Sequence, residues 1–309
     1  MGETAASERR LFAPEELGAI FQVLRVHEIA CVLMGGQASN FWARTYLSVE
    51  PQLAAIREHF GFVSKDLDVQ GNRAAAELLA DKLGTKLKPV SLREAFGNLL
   101  AGQLVVSVAG EPMKIEVLRR IPGLSEAEVN RLATTVSIAG AQVRVLNPVA
   151  ALMAKAWNVA HIRKEGRHDA EQLLALVCAS RAYFRELLAA ATTQDDLRHG
   201  LKLIERFLRF AELPTGRAAA EVCGVNWSWV LPHCYLAADR RLAVVRLRTH
   251  RLPRWLAHIR AYRRGLPATV EVIKIVALLT ESAEPECVPA PAVERANRYA
   301  ITRRKAKRP

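Results

Sequence analysis

The chain has 309 residues, half of them apolar, with 44 Lys and Arg against 31 Asp and Glu and a formal net charge of +13. That size and apolar fraction predict two hydrophobic cores rather than one, and the charge, with a pI near 9.9, favours an anionic partner such as nucleic acid or nucleotide over an acidic protein surface. The start of the chain has no apolar signal core, no run approaches the roughly 18 apolar residues of a membrane span, and five scattered cysteines suit a reducing compartment rather than a disulfide framework, so a cytoplasmic protein is expected.

Pro14, followed by Leu17, Ile20, Phe21 and Leu24 at helical spacing, predicts an amphipathic helix ending near His27. An apolar strand, Ala30 to Met34, runs into Gly35-Gly36, after which Gln37 to Tyr46 read as a helix. The two glycines therefore fall on a strand-to-helix turn. Exposed backbone N–H groups and the positive end of a helix make such a turn a natural cradle for phosphate, although turn geometry alone also accounts for two glycines. Residues 51–60 read as a further helix. Ser64-Lys65-Asp66-Leu67-Asp68-Val69 reads as a second apolar strand, and Asn72 to Leu83 as a helix capped by Asn72 and closed by Gly84.

Strands then predominate: Lys86 to Val90, Leu104 to Val108, Met113 to Leu118, and a hairpin of Thr135 to Ile138 and Gln142 to Val145 turned at Ala139-Gly140. From Pro148 onward the pattern is helical almost without interruption, with Asn147 as cap and Pro148 at the first helical position. The expected architecture is an α/β (α+β) domain with a short mixed sheet over residues 1–146, followed by an all-α, basic domain over residues 147–309. Arg240 to Arg264 contain nine arginines, and the chain ends in the basic run Arg303-Arg304-Lys305-Ala306-Lys307-Arg308. These runs read either as a solvated face with a frayed tail or as an anion-binding surface. Cys223, His233 and Cys234 have zinc-ligand chemistry but lack a fourth ligand at suitable spacing.

The segment that carries most chemistry is Asp66-Leu67-Asp68. Successive strand side chains point to opposite faces, so Asp66 and Asp68 project together while Leu67 and Val69 face a core. Two hard oxygen ligands on one rigid element suit a magnesium ion whose remaining ligands are phosphate oxygens. Lys114-Ile115-Glu116-Val117-Leu118 offers a third carboxylate between apolar residues, Glu116, which a neighbouring strand would bring beside the pair; an exposed position for Glu116 is the alternative.

These strings, Gly35-Gly36, Asp66-Leu67-Asp68 and Glu116 in that order, resemble the DNA polymerase β-like nucleotidyltransferase superfamily. Within it, Val32-Leu33-Met34-Gly35-Gly36-Gln37-Ala38 and Ser64-Lys65-Asp66-Leu67-Asp68-Val69 look most like the AbiEii/AbiGii toxin-type nucleotidyltransferases, and Leu146-Asn147-Pro148 with Lys155 and Asn158 resembles the start of that group's helical domain. The resemblance covers residues 30 to about 175. It departs from the family in a longer interval between Gly36 and Asp66 and in Glu where the third acid is usually Asp. The resemblance implies transfer of a nucleoside monophosphate from a nucleoside triphosphate to a hydroxyl. Asp66, Asp68 and Glu116 would be the catalytic and metal-binding carboxylates for two magnesium ions, with manganese as the alternative ion.

The same resemblance implies that Gly35 and Gly36 meet the triphosphate through their backbone. Arg44, Lys65 and Lys155 are candidate phosphate-binding residues, a solvated helix lysine being the other reading of Lys155. The string Arg163-Lys164-Glu165-Gly166-Arg167-His168-Asp169 is either a phosphate-gathering loop or an ordinary polar link between helices. Acceptors of the family include the transfer RNA 3′ end, a protein hydroxyl or a small molecule, and a cognate antitoxin is an implied partner. Two other classes stay open: a catalytically silent nucleotide- or RNA-binding module using its basic helices, and a helical interaction protein that docks an acidic partner.

Overall fold

In a computed structural model, which describes residues 10–88, 90, 99–162, 168–260, 276, 277 and 279, the chain is a mixed α/β fold continued by a helical region. A short 3-10 turn, Pro14–Leu17, leads into α1 (Gly18–Val26); then come β1 (Val32–Met34), α2 (Gly35–Thr45), α3 (Pro51–His59), β2 (Asp66–Gln70) and α4 (Arg73–Lys82). β3 (Leu100–Val108) and β4 (Glu111–Leu118) precede α5 (Glu126–Leu132), β5 (Ala133–Ile138) and β6 (Ala141–Leu146). The helical region comprises α6 (Pro148–His161), α7 (Asp169–Ala190), α8 (Gln194–Glu212), α9 (Pro214–Cys223), α10 (His233–Ala238), α11 (Leu242–Arg246) and α12 (Leu252–Arg260), with a π-helical turn at Leu247–Arg251.

The six strands form one mixed sheet in the order β3-β4-β2-β1-β6-β5. β2 runs antiparallel to β1 and parallel to β4, and β1 runs parallel to β6. Strand alternation is visible in the burial: Leu67, Val69, Met113, Ile115 and Val117 are fully buried on one face, while Asp66, Asp68, Lys114 and Glu116 stand between them on the other. Helix termini are closed locally as their residues dictate. Asn72 accepts a hydrogen bond from Ala75 N–H and Asn147 from Ala150 N–H, each at 2.9 Å, and Ser125 with Glu128 forms a reciprocal capping box on α5.

Several expected elements shift. The helix after the first strand begins at Gly35 itself, so the glycines form its first turn. Within 86–90 the described backbone shows only an isolated bridge from Lys88 to Gln103, and the third strand starts at Leu100 rather than Leu104. α5 lies in a stretch for which no element was expected.

The change from mixed strands to helices falls at Asn147, yet one apolar core runs through both parts. Trp42 on α2 is the joint: its indole N–H donates to Leu146 O at 2.7 Å at the end of β6, and its ring lies 5.9 Å from that of Tyr183 on α7. A second joint is ionic. Arg181 on α7 donates to the buried carboxylate of Glu50 at the entrance of α3, to Gln52 Oε1 at 2.8 Å, and to Trp229 O. Part of the arginine-rich segment is likewise structural. Arg241 pairs with Asp239 and donates to the carbonyls of Leu188 and Ala191 at the end of α7, while Arg248 donates to those of Leu236 and Ala237. Cationic side chains satisfying the last carbonyls of a helix stabilise its negative end.

Candidate active site

The parallel register of β2 and β4 sets Asp66 opposite Lys114 and Asp68 opposite Glu116. Three carboxylates and one ammonium thus share one sheet face. Lys114 Nζ lies 2.9 Å from Glu116 Oε1 and 3.4 Å from Asp66 Oδ2, bridging the two strands. The other oxygen of Asp66, Oδ1, is buried with no hydrogen-bond partner.

Gly35 closes the site from β1. Met34 pairs with Asp68 across the antiparallel β1–β2 ladder, so the next residue passes directly over the Asp68 carboxylate. A Cβ at Gly35 would lie 2.0 Å from Asp68 Oδ2, and the backbone there is left-handed, with φ +64. Only glycine meets both conditions without strain. A Cβ at Gly36 would lie 2.7 Å from Ser64 Oγ and 3.1 Å from Gln172 Nε2. No side chain caps the N-terminus of α2, which leaves its first N–H groups for another acceptor. Gln37, fully buried in the same turn, donates to Phe12 O at 3.1 Å. Phe12 in turn exchanges two backbone hydrogen bonds with Ser64, at 2.9 and 3.0 Å, so the turn and the entrance of β2 are tied together.

Electrostatics follow from this crowding. Withdrawal from water raises the Asp68 pKa from 3.8 to about 6; the charges of Glu116 and Asp66 push the same way, and Lys155 and Lys114 oppose them. Burial works against the charge on Lys114, but its hydrogen bond to Glu116 and the charges of Glu116 and Asp66 outweigh that, and its pKa lies above the ordinary lysine value.

Lys155 on α6 is buried, not solvated: Nζ donates to Asp169 Oδ1 at 2.8 Å, and its charge is felt at Asp68. Asp169 opens α7, where a carboxylate also complements the positive end of the helix. The fold therefore groups Gly35, Gly36, Asp66, Asp68, Glu116 and Lys155. It does not bring Arg44 to them. Arg44 lies nine residues along α2 from Gly35, about 13 Å at the helical rise, and pairs with Glu15 at 3.0 Å. Lys65 is exposed at the entrance of β2. Of the string from Arg163 to Asp169, residues 163–167 lie outside the described residues; His168 stacks near Phe60, ring centroids 5.0 Å apart. Lys114 was missed from the sequence, although its two-residue spacing from Glu116 on a strand places both on one face. Ser64 and Gln172 carried no local signal.

The donor set of hard carboxylate oxygens, with one buried oxygen unpartnered at Asp66, fits a small divalent cation. Among the described residues, however, no three His, Cys, Asp or Glu side chains are placed to hold an ion by themselves. An ion here needs oxygens from a substrate. At Cys223 and His233, burial pushes the thiol up to about 12, and the His233 ring N–H donates to Ser228 O at 2.9 Å. No helix among the described residues is long and apolar enough to cross a membrane.

A second charged feature lies on the helical region. A groove of about 550 Å³ between α8 and residues 241–251 is lined by Arg198, Lys202, Arg241, Arg246 and Arg251 with one acid, Glu205; Arg198, Arg241 and Arg251 also pair with Asp195, Asp239 and Glu212 beside it.

No protein-family model matches the chain, and no curated protein does. Among solved structures it is similar to an antigenic nucleotidyltransferase-like protein from Paracoccidioides brasiliensis, at 17% identity and a TM-score of 0.39, covering 66% of this chain and 93% of that one. It is also similar to the Megavirus polyadenylate synthase, at 13% identity and a TM-score of 0.34, covering 63% of this chain and 40% of the synthase.

Proposed function

We propose that the protein is a divalent-metal-dependent nucleotidyltransferase that moves a nucleoside monophosphate from a nucleoside triphosphate to a hydroxyl acceptor, the 3′ end of a transfer RNA or a protein side chain. One observation carries the reading: the β2–β4 register assembles Asp66, Asp68 and Glu116 on one face, directly beneath the Gly35-Gly36 turn at the uncapped start of α2. Anion-binding backbone and cation-binding carboxylates at one point are what a metal–triphosphate requires.

Asp66 and Asp68 would hold magnesium together with phosphate oxygens, and the ion would supply charge neutralisation at the triphosphate and acidify the attacking hydroxyl. The chain's own residues do the rest. The first N–H groups of α2 orient the phosphates, and the missing Cβ at Gly35 makes room for the Asp68 carboxylate beside that turn. The acceptor oxygen bonds to the α-phosphorus, the bond from that phosphorus to the bridging oxygen breaks, and pyrophosphate leaves with the electron pair. Glu116 takes the hydroxyl proton. Lys155, anchored by Asp169, adds positive charge on the helical side of the cluster. Positioning and electrostatics account for the acceleration in such chemistry. The basic lining of the groove on the helical region supports RNA as the acceptor, and a toxin role with a cognate antitoxin is the biological setting that the sequence resemblance suggests.

The test is incubation of the full chain with each α-labelled nucleoside triphosphate, magnesium, and total transfer RNA or cell extract. Label passes to an RNA or protein band with the wild type and not with Asp66→Ala or Asp68→Ala. A second reading, a silent RNA-binding module, draws on the basic groove; it predicts no transfer and equally tight, salt-sensitive RNA binding by all three proteins.

A further inference from the structure

Within the carboxylate cluster the position between the two strands is already occupied by a cation of the chain's own. Lys114 Nζ touches Glu116 Oε1 at 2.9 Å and Asp66 Oδ2 at 3.4 Å, the oxygens through which β2 and β4 would share a bridging ion. The face from which Lys114 projects is set by the strand. Lys114 and Glu116 alternate on β4 with the fully buried Met113, Ile115 and Val117, and the parallel register sets Lys114 against Asp66. The stem cannot turn to the other face without breaking that alternation. The oxygens left over include Asp66 Oδ1, buried and without a hydrogen bond, and Asp68 Oδ2, beneath Gly35.

We propose that Lys114 takes the place of one of two divalent ions at this site, so that a single ion, held by Asp66, Asp68 and substrate phosphate, completes it. An ion coordinated to the oxygens Lys114 already binds would compete with the ammonium for the same two carboxylate oxygens, with like charges opposed at short range. An ammonium supplies charge at the acceptor side but no open coordination position, so Lys114 would be a positioning residue for Glu116 and Asp66 rather than an activator of the acceptor hydroxyl. This inference rests on the proposed function and deepens it.

The experiment counts manganese ions bound per chain, by electron paramagnetic resonance and calorimetry, in the full-length protein with a saturating non-hydrolysable nucleoside triphosphate. One ion is expected for the wild type and for Lys114→Arg, and two for Lys114→Met, with circular dichroism and melting curves reporting that each variant is folded. Two ions in the wild type overturn the proposal and leave the nucleotidyltransferase reading standing, as does one ion in both the wild type and a folded Lys114→Met. Should Lys114→Met not fold, the wild-type and Lys114→Arg counts decide alone. Absence of any nucleotide-dependent ion in the wild type would sink both this inference and the function on which it rests.

Discussion

Gly35→Ala is the substitution whose cost the structure specifies most directly. The new Cβ would lie 2.0 Å from Asp68 Oδ2 and 2.8 Å from its Cβ and Cγ, against about 3.5 Å for a relaxed contact, so the carboxylate must retreat by about 1.5 Å. The backbone stays left-handed at φ +64, which costs an L-residue about 1–2 kcal/mol, and crowding in a packed site adds about 1–3 kcal/mol. The expected loss is therefore about 2–5 kcal/mol in urea unfolding, with a fall in melting temperature on the order of 5–15 °C. All three close atoms belong to Asp68. In an Asp68→Gly background the same substitution should cost only the left-handed part, and the double-mutant cycle should return a coupling of about 1–3 kcal/mol. Displacement of Asp68 on this scale should also lower nucleotide transfer by about 100-fold or more. Gly36→Ala is the milder comparison, because it has no positive φ and its closest contacts would be the hydroxyl of Ser64 at 2.7 Å, the amide of Gln172 at 3.1 Å and Ser64 Cβ at 3.3 Å, so it should cost less than Gly35→Ala. A Gly35→Ala protein with wild-type stability, or a coupling of zero with Asp68→Gly, would refute the placement of Gly35 over Asp68.

Three further outcomes concern Asp68, Glu128 and the Lys155–Asp169 pair. Asp68 has its folded pKa raised from 3.8 to about 6, so the folded state binds the proton more tightly; its contribution to stability is full below the unfolded pKa and lost as pH rises through that window. Urea unfolding across pH 3.5–6.5 should show that decline in the metal-free wild type, and Asp68→Asn should remove it. Glu128 has the opposite sign. The Ser125 backbone N–H, and then Arg206, lower its pKa from 4.5 to about 2, so its contribution is present above the unfolded value and lost as pH falls toward 2; acid unfolding of Glu128→Gln should lack that component. Lys155→Met leaves the buried carboxylate of Asp169 without its ammonium partner, and should cost about 3–5 kcal/mol in chemical denaturation. Combining it with Asp169→Asn should recover part of that loss, and a simple sum of the two single costs would argue against the pair.

Local pattern was sufficient for the elements that frame the site. Period-two alternation places Asp66 and Asp68 on one face and Leu67 and Val69 on the other with no knowledge of the neighbouring strand, and Asn72 and Asn147 mark helix starts through bonds to N–H groups three residues away. The Ser125-Glu128 box is equally local, and it marks the start of α5 in the sequence itself. The stretch at 86–90, Lys-Leu-Lys-Pro-Val, alternates polar and apolar residues as a strand does, but such a segment becomes a strand only where a partner edge accepts it, and among the described residues a single bridge, at Lys88, forms.

What tertiary structure alone decided is pairing. That β2 lies beside β4 in parallel, in the register that sets Asp68 against Glu116 and Lys114 against Asp66, depends on residues nearly fifty positions apart, and a slip of one residue would send Glu116 to the buried face. The burial of Lys155 on Asp169 likewise depends on how α6 and α7 pack, and the continuity of the core across Asn147 depends on Trp42 meeting Leu146 and Tyr183. Side-chain periodicity is a property of each strand or helix by itself, and so it is written in consecutive residues. The neighbours across a sheet or between helices are set by the packing of the whole core, and no short stretch of the chain contains them.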